Sequence, residues 1–137
     1  MSTLSPEIEK AVRLALAASW SEHTQPGFDP QWPSYNQCAQ TAIVVFERFG
    51  GEILRTTALT TDGREIEHFY NRIGGDRYDF AEGQFLIPGY WQPICYRDIP
   101  STTTEACANL RSGQLDALRE AFSRAMEFAN VTGRGDR

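Results

Sequence analysis

Two diglycines, Gly50-Gly51 and Gly74-Gly75, constrain the fold of this chain more than any other feature. Glycine enters left-handed backbone conformations without steric cost, so each pair marks a place where an element ends and the chain turns. Before the first pair, Ala39, Ala42, Ile43, Val44, Val45 and Phe46 form an almost wholly apolar stretch. It reads as a buried helix that starts around Ser34 to Asn36 and runs through Phe49. Its cap is either Ser34 with Gln37 as a capping box or Asn36 itself, and both choices put Cys38 in the first turn. After the diglycine, Glu52 to Leu59 reads as a strand, Thr61-Asp62-Gly63 as a turn and Glu65 to Ile73 as a second strand. Gly74-Gly75 is then a tight hairpin turn and Asp76 to Ala81 a third strand. The expected fold class is α+β, with the Cys38 helix packed on a small, mainly antiparallel sheet.

Helices flank this centre. Ser5-Pro6-Glu7 combines a cap, a proline at the first helical position and an acid in the first turn. Ile8, Ala11, Val12, Ala15 and Leu16 then recur at helical spacing, and the helix should stop near Ser19 or Trp20. Pro26, Gly27, Pro30 and Pro33 make Ser21 to Pro33 irregular, while Trp20, Phe28, Trp32 and Tyr35 imply that this loop packs on the body. A short strand is expected at Ile94 to Arg97, and Thr102 with Glu105 caps a helix to about Arg111. A last helix over Gln114 to Asn130 presents Leu115, Leu118, Phe122, Ala125, Met126 and Ala129 on one face. The 137 residues suit a single domain, 1–137, with 1–4 and 132–137 as frayed tails.

Composition removes several functions. Thirteen Lys and Arg against eighteen Asp and Glu give a net charge of −5, which lacks the basic footprint of a nucleic-acid or anionic-membrane binder. No apolar run approaches the ~20 residues of a membrane span, and the N-terminus has no basic leader followed by an apolar stretch. Three cysteines, Cys38, Cys95 and Cys107, without a Cys-x-x-Cys pair suit free thiols in a cytoplasmic, reducing setting. Neither nucleic acid nor membrane is therefore expected as a partner, and no cofactor or metal is invoked.

A thiol in the first turn of a buried helix meets unpaired N–H groups and the positive end of the helix dipole, both of which favour thiolate. Such cysteines fall from ~8.5 to as low as ~3.5–7.5 when a cation or histidine sits nearby. The chain holds two histidines. His23 reads as a loop residue, which leaves His68. A two-residue turn at Gly74-Gly75 would set Tyr70 opposite Asp79 and His68 opposite Ala81, making Asp79 the diagonal neighbour of His68 on one sheet face. Cys38, His68 and Asp79 would then be nucleophile, general base and orienting group. Their chain order, with Cys on a helix start and the others on strands, resembles that of papain-like and transglutaminase-like enzymes. Phe69, Ile73, Tyr78 and Phe80 lie on the opposite face, the natural core side, so the face of His68, Tyr70, Arg72, Arg77 and Asp79 looks the more solvated one, which a polar but sheltered cleft wall also fits.

Four segments carry a further resemblance: Asn36-Gln37-Cys38-Ala39-Gln40-Thr41-Ala42, Gly50-Gly51-Glu52-Ile53-Leu54-Arg55, His68-Phe69-Tyr70-Asn71-Arg72-Ile73 and Tyr78-Asp79-Phe80-Ala81-Glu82-Gly83-Gln84-Phe85. Over residues 19 to 85 they resemble the YunG-type family of small bacterial proteins. The chain departs from that pattern at Asn36, Phe69-Tyr70 and Phe80-Ala81, none of which touches Cys38, His68 or Asp79. The resemblance implies a grouping of residues rather than a substrate.

Secondary candidates follow. Gln37 and Gln31 are oxyanion-hole candidates because they lie upstream of the thiol, although Gln37 serves equally as a capping partner. Asn71 could replace Asp79, but three residues along a strand from His68 it lies on the other face. Trp32 and Tyr70 are candidate substrate contacts, and the Ser21 to Tyr35 loop is placed to cover the cleft. The expected function is a papain-like cysteine hydrolase or acyl transferase acting on an amide or thioester of a small-molecule or peptide substrate. The alternatives are a binding module with the trio as a structural polar network, and a metal-binding or redox-sensing protein.

Overall fold

The computed structural model describes residues 3–134, with side chains through residue 129. Helix α1 spans Pro6–Ser19 and begins as its sequence requires: Ser5 Oγ accepts the Ile8 N–H at 3.2 Å, and Pro6 occupies the first turn. Helix α2, Cys38–Phe49, leads through Gly50-Gly51 into strand β1, Glu52–Leu59. Strands β2, Glu65–Ile73, and β3, Asp76–Tyr78, form the hairpin around Gly74-Gly75. A short 3-10 helix, Glu82–Leu86, precedes strand β4, Ile99–Ser101, and helices α3, Thr103–Cys107, and α4, Gln114–Arg134, complete the chain.

The four strands form one antiparallel sheet in the order β3-β2-β1-β4. The hairpin register is the expected one, with Ile73 opposite Asp76, Arg72 opposite Arg77 and Asn71 opposite Tyr78. On one sheet face Ile53 and Phe69 meet Ala42 and Ile43 of α2 and Ala106 of α3. Beyond α2, Val44 and Val45 join Val12 and Leu16 of α1 with Leu118, Phe122 and Met126 of α4 in a second cluster that also takes in Ile73, Tyr78 and Phe80. No helix of the described residues is long and apolar enough to cross a membrane.

Several boundaries differ from expectation, each for a local reason. Neither Ser34 nor Asn36 caps α2: Asn36 adopts a left-handed conformation, φ 59°, and Gln37 precedes the helix without a side-chain capping bond. Strand β3 stops at Tyr78 rather than Ala81, because the Asp79 carboxylate accepts the Ala81 N–H at 3.2 Å and turns the chain into the 3-10 helix. Ile94 to Arg97 is not a strand. That segment crosses a sheet face, and the Thr56 hydroxyl satisfies its backbone, donating to the Cys95 carbonyl at 2.6 Å and accepting the Arg97 N–H at 3.2 Å. The neighbouring Ile99–Ser101 pairs with β1 instead. Helix α3 ends at Cys107 rather than near Arg111, and α4 continues beyond Asn130 to Arg134. Of the expected frayed tails, Thr3 is tied to Asp76 at 2.6 Å and 132–134 continue the helix, whereas 1–2 and 135–137 lie outside the described residues.

Candidate active site

Cys38 is the first residue of α2, so its backbone N–H has no partner within the helix. The preceding loop is held against α2 and α4 by amide side chains. Gln40 Nε2 and Gln114 Nε2 both donate to the Thr24 carbonyl, at 2.8 and 2.9 Å, and the Thr24 hydroxyl donates to Gln37 Oε1 at 3.0 Å. This loop presents Gln25, Pro26 and Gly27 to a cavity of about 540 Å³, and Cys38 and His68 line the same cavity.

His68 Nε2 and Asp79 Oδ2 are 2.7 Å apart, both side chains being almost fully buried. Because Nε2 is committed to Asp79, Nδ1 is the ring nitrogen left for Cys38. Burial pulls the imidazole's affinity for protons down, but the hydrogen bonds and charges of Cys38 and Asp79 outweigh it and push His68 up to about 10.

Of the two readings open for the face of His68, the structure has the sheltered one: His68 is 2% exposed, Tyr70 1% and Asp79 5%. The chain between Tyr78 and Ile99 covers it. Phe85 meets the imidazole edge-on at 4.7 Å and Trp91 backs Phe85 at 5.0 Å. Tyr96 donates to Asp79 Oδ2 at 2.6 Å, so one carboxylate oxygen serves both His68 and Tyr96. Burial and the Asp79 charge raise the Tyr96 phenol well above its usual range, which keeps it a donor. Arg77 fixes this lining by lying over the Tyr96 ring at 4.8 Å and clamping Asp98 through two bonds of 2.8 and 2.6 Å.

The secondary candidates are placed elsewhere. Gln37 is fully buried against Thr24 and Gln40 and does not line the cavity. Gln31 is exposed, and neither it nor Trp32 reaches the cavity. Tyr70 stacks beside His68 with ring centroids 5.9 Å apart, and its hydroxyl bonds Asp98 at 2.9 Å, so it packs the wall rather than facing the cavity. Asn71 points to the other sheet face, where Nδ2 donates to the Ala42 carbonyl at 3.0 Å and ties β2 to α2. Among the described residues no group of three or more His, Cys, Asp or Glu is placed to hold a metal ion.

Tyr96 and Gln84 are the site residues that sequence reasoning missed. Gln84 is 3% exposed and lines the cavity, and the segment quoted for the family resemblance contained it. Tyr96 left no local signal, because its role depends on a loop crossing a sheet face.

The family model described as YunG protein matches residues 8–127, which extends through most of α4 and well beyond residues 19 to 85. A Bacillus subtilis (strain 168) protein described as "Uncharacterized protein YunG" is 41% identical over 115 residues, covering 84% of this chain and 91% of its own. No solved structure matches.

Proposed function

The chain belongs to the YunG family, and on that premise we propose that it is a cysteine hydrolase or acyl transferase acting on an amide or thioester. One observation carries the reading: the buried imidazole of His68 is held by the Asp79 carboxylate on one nitrogen and lines the same cavity as the Cys38 thiol. The three side chains follow the papain-like chain order, and each has the chemistry its role needs.

In the reaction, His68 holds the thiol proton and the Cys38 thiolate attacks the substrate carbonyl carbon. The unpaired Cys38 N–H faces the developing oxyanion as a donor. Collapse of the tetrahedral adduct breaks the C–N or C–S bond, and the leaving amine or thiol takes the proton from His68. Water, deprotonated by His68, or an acceptor amine then cleaves the thioester and returns the thiol. Asp79 holds the ring orientation and compensates the imidazolium charge. The free thiols at Cys38, Cys95 and Cys107 support a reducing, cytoplasmic setting.

The test is the pH dependence of Cys38 alkylation by iodoacetamide, read by mass spectrometry in wild type, His68→Ala and Asp79→Ala. Wild type should react well below pH 7. His68→Ala should slow the reaction at least tenfold at pH 6 and move the profile towards an ordinary thiol near ~8.5. Ordinary thiol behaviour in all three would defeat the proposal. The second reading, a binding module with the trio as a polar network, would then lead, favoured by the bonds that Tyr96 and Ala81 make to Asp79.

A further inference from the structure

The cavity contains an unpaired strand edge. Strand β2 is nine residues long, but β3 covers only Asn71 to Ile73 on its outer side. Gly74 and Gly75 both have positive φ, 60° and 90°, the geometry of a two-residue turn whose flanking residues, Ile73 and Asp76, exchange backbone hydrogen bonds. Bonding direction alternates along a strand, so Ile73 and Asn71 point their backbone groups at β3, and Phe69, Glu67 and Glu65 point theirs the same way, where no strand follows. Among the described residues no hydrogen bond from outside the sheet reaches the backbone of these three. Glu65, Ile66, Glu67, His68 and Phe69 all line the cavity. Successive side chains of a strand lie on opposite faces, so a cavity touching five in a row runs along the edge itself.

We infer that the substrate is an extended peptide that adds to the sheet as a strand along Glu65 to Phe69 and presents a backbone amide carbonyl to Cys38. The inference rests on the cysteine-hydrolase reading of Cys38. A peptide alternates donors and acceptors, and the cavity wall offers both beyond the edge. Gln40 Oε1 is an acceptor and Trp91 Nε1 a donor, each buried and without a partner among the described residues, on side chains that line the cavity. The Gln40 side chain is wholly buried. Charge narrows the peptide further. Glu67 is paired with Arg55 at 2.9 Å, but Glu65 is in no ion pair among the described residues. At ~3.3 Å per residue the edge beside Glu65 lies about three residues from the reacting bond beside His68. A lysine or arginine three positions from the scissile amide therefore meets Glu65.

The cleavage step balances as above: the peptide C–N bond breaks, an S–acyl bond forms, the amine leaves with the His68 proton, and water hydrolyses the thioester. The test uses full-length Cys38→Ala and the peptide acetyl-Ala-Lys-Ala-Val-Ala-Gly-Ala-Lys-Ala-amide, whose lysines serve either strand direction. On binding, amide hydrogen exchange should slow at least tenfold at Glu65, Glu67 and Phe69, with little change at Ile66 and His68, whose amides already bond β1. N-methylation of alternate peptide residues should abolish binding, while N-methylation of the intervening ones leaves it. Replacing both lysines by glutamate should weaken binding severalfold, and Glu65→Lys should reverse that preference. No binding at millimolar peptide, or binding without protection of the alternate amides, overturns the inference even if Cys38 alkylation is abnormal. Protection of those amides without cleavage by wild type, together with ordinary alkylation, overturns the hydrolase reading and leaves the edge as a peptide-binding site.

Discussion

The two oxygens of Asp79 divide local from long-range work. Oδ1 accepts the Ala81 N–H and ends strand β3, while Oδ2 accepts from Tyr96 and faces His68. The same carboxylate thus sets the backbone that carries it and the ring it orients. His68 titrates as part of this group, and its folded value lies above the ordinary 6.5, reaching about 10. A raised value means that the folded protein holds the proton more tightly than the unfolded chain. The associated stability is fully present below about pH 6.5 and is lost as pH rises through the folded value. The stability difference between wild type and His68→Gln, measured by urea unfolding, should therefore shrink from pH 6 to pH 10; a constant difference would contradict the raised value. Cys38→Ala removes a side chain that helps to hold the His68 value up, so the His68 titration followed by NMR should move down in that variant. Cys38 and His68 stood out in the sequence because a helix start and a scarcity of histidine are local facts. Tyr96 did not, because its partner lies seventeen residues away across a loop.

At the scale of elements, the junction between α2 and β1 brings the backbone at Gly51 close against β2. Gly51 has φ 76°, and a Cβ there would lie 2.1 Å from the Arg72 carbonyl oxygen, which cannot retreat without shifting β2. Gly51→Ala should cost at least about 2 kcal/mol in urea unfolding, from conformational strain plus that clash. Gly75 also has positive φ, 90°, but a Cβ there meets nothing within 4 Å, so Gly75→Ala should cost only the strain, about 1–2 kcal/mol. Equal costs for the two would mean that the close approach to Arg72 is relieved elsewhere. Helix α1, the hairpin register and the ending of α2 at a glycine were legible because capping, two-residue turns and apolar periodicity act within a few residues. The start of α2 was not: the Gln37 side chain that could have capped it is taken by Thr24 and Gln40, a competition set by how the preceding loop packs.

At the scale of the molecule, α4 completes the core on which α2 rests. Leu118 is fully buried in the cluster that joins α1, α2, α4 and the hairpin. Leu118→Ala should destabilise the protein by about 2–5 kcal/mol, checked by urea unfolding with an unchanged alkylation profile at a pH where the variant stays folded. A change in that profile would mean that α4 also positions the thiol. The sheet is buried on both faces, by helices on one and by the chain between Tyr78 and Ile99 on the other. That second layer has little regular structure, so no periodicity announced it, and the polar face of β2 read equally as a solvated surface or a sheltered cleft wall.

The amino-acid sequence determined the α+β class, the α2–β1–β2–β3 succession, the hairpin register and the position of Cys38 at a helix start, because each follows from interactions between near neighbours. The tertiary structure alone decided that His68, Asp79 and Tyr96 share one buried network, that Gln37 faces away from the cavity and that the edge of β2 lies open within it. Those depend on which surfaces a loop covers and which backbone groups it leaves unpaired, and a covering loop is chosen by the packing of the whole molecule rather than by its own residues.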